Sequence, residues 1–345
     1  MISQTGMTPY AVMTDADEFA VNDRKLPGLE RALNDEAMRL LLSSSLFYQR
    51  DGGNKILARV RHQVLKHTSG KRCVIEYQLY WDEEQQSLQR IIGKMYRKDR
   101  GRAIFENLRH LWHAASDSGA RFGMPEPLAY LPEIGMVLQR VVPGQRLADF
   151  SDHDDMTQAV RYAAENLAAL HGLAVLVGEQ KTLDDHIDKY CHPGPKALIE
   201  AYPQSAPLVE GLLKGLARDE SLHHAPLCPV HGDLGLTQIF ITESQAFFID
   251  FDGFCLSHAA LDAGNFLVAL QVHFGPAGAA LTKAFLEGYL KSQSPEMLTG
   301  LRVYQAFAYL RRAAICARAP AVADWRQQVR QLLETGNFYL GQSFS

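Results

Sequence analysis

The second half of the chain reads as helix almost throughout, with one interruption, and that interruption narrows the folds open to it. Between residues 229 and 254 the run PVHGDLGLTQIFITESQAFFIDFDGF alternates short apolar segments with turn residues around Asp233 and Asp250, the pattern of short strands joined by tight loops. A hairpin set into a helical body gathers Asp233, Asp250 and Asp252 in one place, with the amide of Gln238 five residues beyond Asp233. A hard dication such as Mg²⁺ takes a few protein oxygens and leaves its other positions to water and phosphate oxygens. Asp250 at a strand end and the side-chain oxygen of Gln238 meet that demand. Asp233, a separate carboxylate upstream, is placed to accept the proton of an attacking hydroxyl.

The first half follows a different pattern. LPGLERALNDEAMRLLLSS carries apolar residues at helical spacing, with Pro27 near the start, and predicts one opening helix. ILARVRHQVLK and RCVIEYQLYW, joined by HTSGK, predict a β-hairpin; SLQRIIGKMYR predicts a third strand, and GRAIFENLRHLWHAAS an amphipathic helix. PEPLAYLP and GMVLQRV predict two more strands before the Pro-Gly pair at Pro143 and Gly144. Helices are expected over 156–176 and 195–217, with three more after Leu261. These patterns divide the chain into an arm and helix (1–45), a sheet lobe (46–142) and a helical lobe (143–345).

Bulk composition excludes several classes. Over 345 residues the formal charge is -4, with 47% hydrophobic and 21% charged residues, so neither a disordered chain nor a protein drawn to nucleic acid or an anionic membrane fits. Its five cysteines form no C-x-x-C pair, against a zinc site or a disulfide framework. The first thirty residues lack a secretory signal pattern, and no apolar run reaches membrane-spanning length. A cytoplasmic monomer or homodimer is expected. Two local features oppose the acidic average. Lys94 sits mid-strand among apolar neighbours, where an ammonium needs an anion. Six Lys or Arg and no acid lie between Lys55 and Arg72, where Ser69 and Gly70 offer backbone N–H groups to phosphate oxygens.

HGDLGLTQIF resembles the catalytic loop of the aminoglycoside phosphotransferase and choline kinase superfamily, in which H-G-D is followed, five residues after the Asp, by Asn. IDFDGFCLSHAALDAGNFL resembles the metal-binding segment of the same superfamily, with Asp262 in the place of a structural aspartate, and 17 residues separate Asp233 from Asp250. The resemblance implies an α+β, two-lobed protein-kinase-like fold, with a small antiparallel-sheet lobe and a larger, mostly helical one. It implies transfer of the γ-phosphoryl of ATP or GTP, with Mg²⁺, to a hydroxyl of a small molecule. Asp233 would be the catalytic base, and Gln238 and Asp250 the metal ligands. Lys94 would contact the α- and β-phosphates, paired to Glu106, and the backbone from Gln139 to Val141 would hold the base. Gln238 departs from the usual Asn by one methylene. Branches resembling maltokinases share it, which favours a sugar-like acceptor over an aminoglycoside-like one, as does the lack of an acidic cluster. That acceptor is expected between the catalytic loop and the C-terminal helices, near Arg311 and Arg312. A silent nucleotide-binding protein and a protein adenylyl transferase are the alternatives on the same fold.

Overall fold

The computed structural model describes residues 23–45, 56–81, 87–119, 122–150, 153–175, 178–192, 194–318 and 324–341. The arm through residue 22, Lys55 and residues 82–86 lie outside the described residues.

Two short helices, α1 (Leu29–Ala32) and α2 (Asp35–Ser43), stand where the periodicity predicts one. Asn34 breaks them apart: its backbone is extended, and its side chain accepts the N–H of Ala37 at 2.8 Å, capping α2. Strands β1 (Leu57–Thr68), β2 (Arg72–Trp81) and β3 (Ser87–Tyr96) follow, then helix α3 (Arg100–Asp117) and strands β4 (Pro127–Leu131) and β5 (Met136–Arg140). The sheet is antiparallel in the order β1-β2-β3-β5-β4. Strand alternation gives it two faces. Cys73, Ile75, Tyr77 and Leu79 of β2 join Ile91 and Met95 of β3 under α1 and α2, where the Tyr77 hydroxyl donates to Ala32 O at 2.8 Å. Arg72, Val74, Ile92 and Lys94 belong to the other face, toward the rest of the molecule.

Beyond β5 the chain crosses at 141–144 into a helical body built from β6 (Gln145–Arg146), α4 (His153–His171), α5 (Leu183–Tyr190), α6 (Pro195–Ala201), α7 (Ala206–Arg218), β7 (Leu227–Val230), β8 (Ile239–Ile241), β9 (Ala246–Phe248), β10 (Cys255–His258), α8 (Ala259–Phe274), α9 (Gly278–Tyr289), α10 (Leu301–Ala317) and α11 (Trp325–Tyr339). The α+β class, a small antiparallel sheet and a mostly helical remainder, is as the sequence predicts. Two details differ. The helix expected over 195–217 is split, because Pro203 forces Tyr202 out of helical backbone (φ -144°, ψ 80°). Four helices rather than three follow β10, since Gly275 turns the chain between α8 and α9 with φ 53°. Helix α8 is buried all round from Ala259 to Leu270 and forms the centre of the body. Four cysteines are buried and Cys316 partly so, all as free thiols.

Strand pairing positions the chemistry. β7 runs antiparallel to β10, with Val230 opposite Cys255, so the loop after β7 lies against the turn before β10. The fit is close at Gly232: its φ is 79°, and a Cβ there would stand 2.3 Å from the carbonyl oxygen of Gly253. Gly232→Ala therefore meets both a left-handed backbone and a rigid neighbour. It is expected to cost about 2 kcal/mol or more, measured as a lowered urea midpoint with unchanged slope.

Candidate active site

The face of the sheet that carries Lys94 meets the turn after β9. Asp250 takes up left-handed backbone there (φ 70°, ψ 51°) at the head of a single 3-10 turn, Phe251–Gly253, a strain of the kind that gathers at functional sites. Lys94, only 4% exposed, places Nζ 2.7 Å from Asp250 Oδ1 and 3.7 Å from Asp252 Oδ1. Arg72 Nη1 lies 3.5 Å from Asp250 and 3.2 Å from Asp252, and the Tyr96 hydroxyl donates to Asp252 Oδ1 at 2.6 Å. Burial by itself would raise the Asp250 carboxyl, but the charges of Lys94 and Arg72 outweigh it and hold the group well below the usual carboxylate range. The anion that mid-strand Lys94 requires is thus a carboxylate pair from the other lobe.

The HGD loop is fixed by one buried anion. Asp262, in the first turn of α8 and 0% exposed, accepts the N–H of His231 at 2.6 Å and of Gly232 at 2.9 Å, and lies 3.3 Å from His171 Nε2. Burial pushes its carboxyl up, but the His171 hydrogen bond, the neighbouring histidines and the His231 N–H bring it below its ordinary 3.8. His231 Nε2 reaches Ile249 O at 2.8 Å and Nδ1 faces the Asp233 N–H at 3.4 Å. With Nε2 protonated the ring satisfies both partners, so it braces the loop against the segment between β9 and Asp250.

Two small apolar clusters flank the crossing between lobes. Leu65, Val74 and Ile92, with Val141 against them, form one; Val142, Phe240 and Ile249, with Phe247, form the other. Consecutive residues Val141 and Val142 belong to opposite clusters, which suits a flat base held between them. Gln139 remains inside the sheet, opposite Ile92 and Pro127; Val141 lies just beyond the ladder.

Two expected contacts are not made. Glu106 does not pair with Lys94: it faces outward on α3 and binds Arg109, 2.8 Å away and three residues along the same helix. Lys94 finds its carboxylates at Asp250 and Asp252 instead. The Gly70 N–H does not point to a phosphate site either, because it donates to Asp23 Oδ2 at 2.7 Å, and Ser69 is exposed beside it. Asp23 also meets His67 at 3.1 Å and closes the turn from outside. From that basic hairpin, Arg72 is the residue that reaches the carboxylates. The excess of Lys and Arg signalled the segment, but not which side chain turns inward.

Asp233 lies at the edge of a cavity of about 650 Å³ between the loop and helices α8, α10 and α11. Gln238, on the 3-10 turn Leu236–Gln238, lines the same cavity, with Oε1 3.2 Å from the Thr237 hydroxyl. Arg311 of α10 donates to Asp233 Oδ1 and stacks its guanidinium 4.7 Å from the centre of the Tyr190 ring. Among the described residues the buried Tyr190 hydroxyl has no partner, and burial, then the Asp233 charge, pushes its pKa up. The Arg311–Asp233 pair was beyond reach of sequence reasoning because 78 residues separate the partners.

Comparison with known proteins gives the family and the fold. The family model described as "Phosphotransferase enzyme family" matches residues 78–307. Solved structures share the fold at low identity. A choline/ethanolamine kinase family protein from Mesorhizobium loti is 16% identical over 89% of this chain and 95% of that one, with a TM-score of 0.53. A choline kinase from Streptococcus pneumoniae is 14% identical over 88% and 98%, with a TM-score of 0.57. An amicoumacin kinase in complex with AMP-PNP, Ca²⁺ and Ami is 13% identical over 80% and 88%, with a TM-score of 0.55. No curated protein sequence matches the chain.

Removing the buried anion tests the loop. Asp262→Ala leaves two backbone N–H groups and one ring nitrogen of His171 unpaired in the interior and is expected to cost about 3 to 5 kcal/mol. Because the folded carboxyl titrates below its ordinary 3.8, its stabilisation is complete above that value and fades as pH falls through the lower folded value. Urea midpoints of wild type and variant should differ most at neutral pH and converge in acid.

Proposed function

The chain belongs to the phosphotransferase enzyme family and is a small-molecule kinase, and on that premise we propose that it transfers the γ-phosphoryl of ATP or GTP, with Mg²⁺, to a hydroxyl held in the 650 Å³ cavity. The observation that carries this is one juxtaposition. Gly232, beside Asp233 at the cavity, is packed on Gly253, in the turn that presents Asp250 and Asp252 to Lys94 and Arg72. An acceptor and a triphosphate bound on the two sides of that contact would meet at Asp233.

The residues fit a metal ion shared with a nucleotide. Among the described residues no group of three or more His, Cys, Asp or Glu side chains could hold a metal alone. Mg²⁺ needs none, being commonly held by one or two carboxylates together with substrate phosphates. Asp250 and Gln238 would hold it, with Asp252 alongside. Bound there, Mg²⁺ neutralises charge on the phosphoryl oxygens. Lys94 and Arg72, which balance the carboxylates, would be cations for those phosphates. Val141 and the two apolar clusters would seat the base.

In the transfer, the acceptor oxygen bonds to the γ-phosphorus as the bond from that phosphorus to the β,γ-bridging oxygen breaks. The hydroxyl proton passes to Asp233, and the nucleoside diphosphate leaves. Arg311 keeps the Asp233 carboxylate aimed at the cavity, and the work of the site is positioning and charge compensation.

Asp233→Ala is expected to lower kcat by on the order of 10² to 10⁴ with nucleotide affinity kept. Asp250→Ala should also lose the Mg²⁺-dependent part of nucleotide affinity. A coupled assay of nucleoside diphosphate release over a panel of small alcohols, run with thermal shift on Mg-ATP and Mg-GTP, reads both. Wild-type turnover by Asp233→Ala would overturn the reading.

A further inference from the structure

The geometry points to an anionic acceptor: a small alcohol that carries a carboxylate or phosphate, whose negative group meets Arg312 while its hydroxyl lies at Asp233. This deepens the kinase reading and rests on it. The argument is the balance of charge around the cavity. Among the described residues its charged lining groups are Asp233, Arg311 and Arg312, with His273 as a further titratable side chain at the lining. Asp233 and Arg311 form an ion pair and cancel. Arg312 follows Arg311 on α10, and among the described residues it has neither a carboxylate nor a hydrogen-bond partner.

A guanidinium withdrawn from water without an anion is costly, so such groups are found paired. Arg312 is partly buried; burial first, and the neighbouring Arg311 charge second, lower its pKa. Both effects would be relieved by a bound anion.

Asn265 adds a second, independent sign. It is only 5% exposed, on α8, it lines the same cavity, and its side-chain nitrogen is buried without a partner among the described residues. A buried donor left unpaired costs about 1 to 3 kcal/mol. An oxygen-rich ligand would satisfy it together with Arg312, two donors on adjacent packed helices facing one space. A cationic acceptor would find only Asp233, already engaged by Arg311, and would be repelled by Arg312. Leu234, Leu236, Val272 and Ile315 supply an apolar wall, so the carbon skeleton is covered and the anion is the group read by hydrogen bonds.

Two matched sets test this. One holds glycerol, glycerate and glycerol 3-phosphate; the other holds glucose, glucuronate, glucose 6-phosphate and glucosamine. Binding is read by thermal shift in the presence of Mg-AMP-PNP, and kcat/KM by nucleoside diphosphate release. Within a set the carboxylate or phosphate member should exceed its neutral parent about ten- to a hundredfold, as expected for a charge-assisted contact, and the two anionic arms show which group the cavity takes. Arg312→Gln should remove that preference and Arg312→Lys keep part of it, with far-UV circular dichroism showing both variants folded. Equal or better binding of the neutral or amino members overturns the proposal. So does a preference that survives Arg312→Gln, or the absence of any shift across both sets. The kinase reading fails separately, by absence of a Mg-nucleotide shift and of nucleotide consumption with every acceptor.

Discussion

Two carboxylates facing two cations across the gap between sheet and helical body are the contact on which the site depends. Asp250 and Asp252 come from one turn of the body, Lys94 and Arg72 from adjacent strands of the sheet. Each charge would be expensive so close to the interior if left alone. Together they are neutral and hold the two halves face to face. The pairing explains the mid-strand lysine, and why β2 keeps an arginine at its first residue. On the proposed reading it is also where a nucleotide would enter, since phosphates would compete for the cations while a metal ion would compete for the carboxylates.

That cluster would lose its alignment with Asp233 if the HGD loop could drift. Asp262 prevents it from beneath, with the N–H groups of His231 and Gly232 on its oxygens, and His231 passes the constraint to Ile249, the residue before Asp250. The HGD loop and the turn that carries Asp250 are therefore positioned by one connected hydrogen-bond network, and Gly232 lets them touch. Buried networks of this kind fix geometry because each unmade bond carries its full desolvation cost. Asp233 gains its position without being held rigidly itself. It stays a third exposed, steadied only by Arg311.

Much of this was legible in the sequence, and the failures have physical causes. An ammonium mid-strand among apolar neighbours marked Lys94 as a residue in need of an anion, and the tandem of HGD and IDFD placed Asp233 and Asp250 on one hairpin because both signals are local. Glu106 misled because an amphipathic helix shows which face is polar but not what that face meets; its partner is Arg109, one turn away. Ser69 and Gly70 misled because a turn shows that N–H groups are free of the ladder, and Asp23, 47 residues upstream, takes the one at Gly70. The split at Pro203 was visible in principle: proline restricts the residue before it, and the apolar period running through it hid the break.

The same distinction between local and distant signals bears on the acceptor. From sequence, Arg311 and Arg312 are two equivalent cations on a helix. One turns to Asp233 and the other does not, since side chains one residue apart on a helix point about 100° from each other. A pair of adjacent arginines is thus divided into one residue that steadies the base and one whose charge is left for a ligand. The nucleotide side of the site is balanced by its own residues, whereas the acceptor side carries an excess of one positive charge. Two substrates that each brought negative charge would be told apart by this difference: one must displace an existing ion pair and bring its own cation, and the other meets a guanidinium that has no partner to lose.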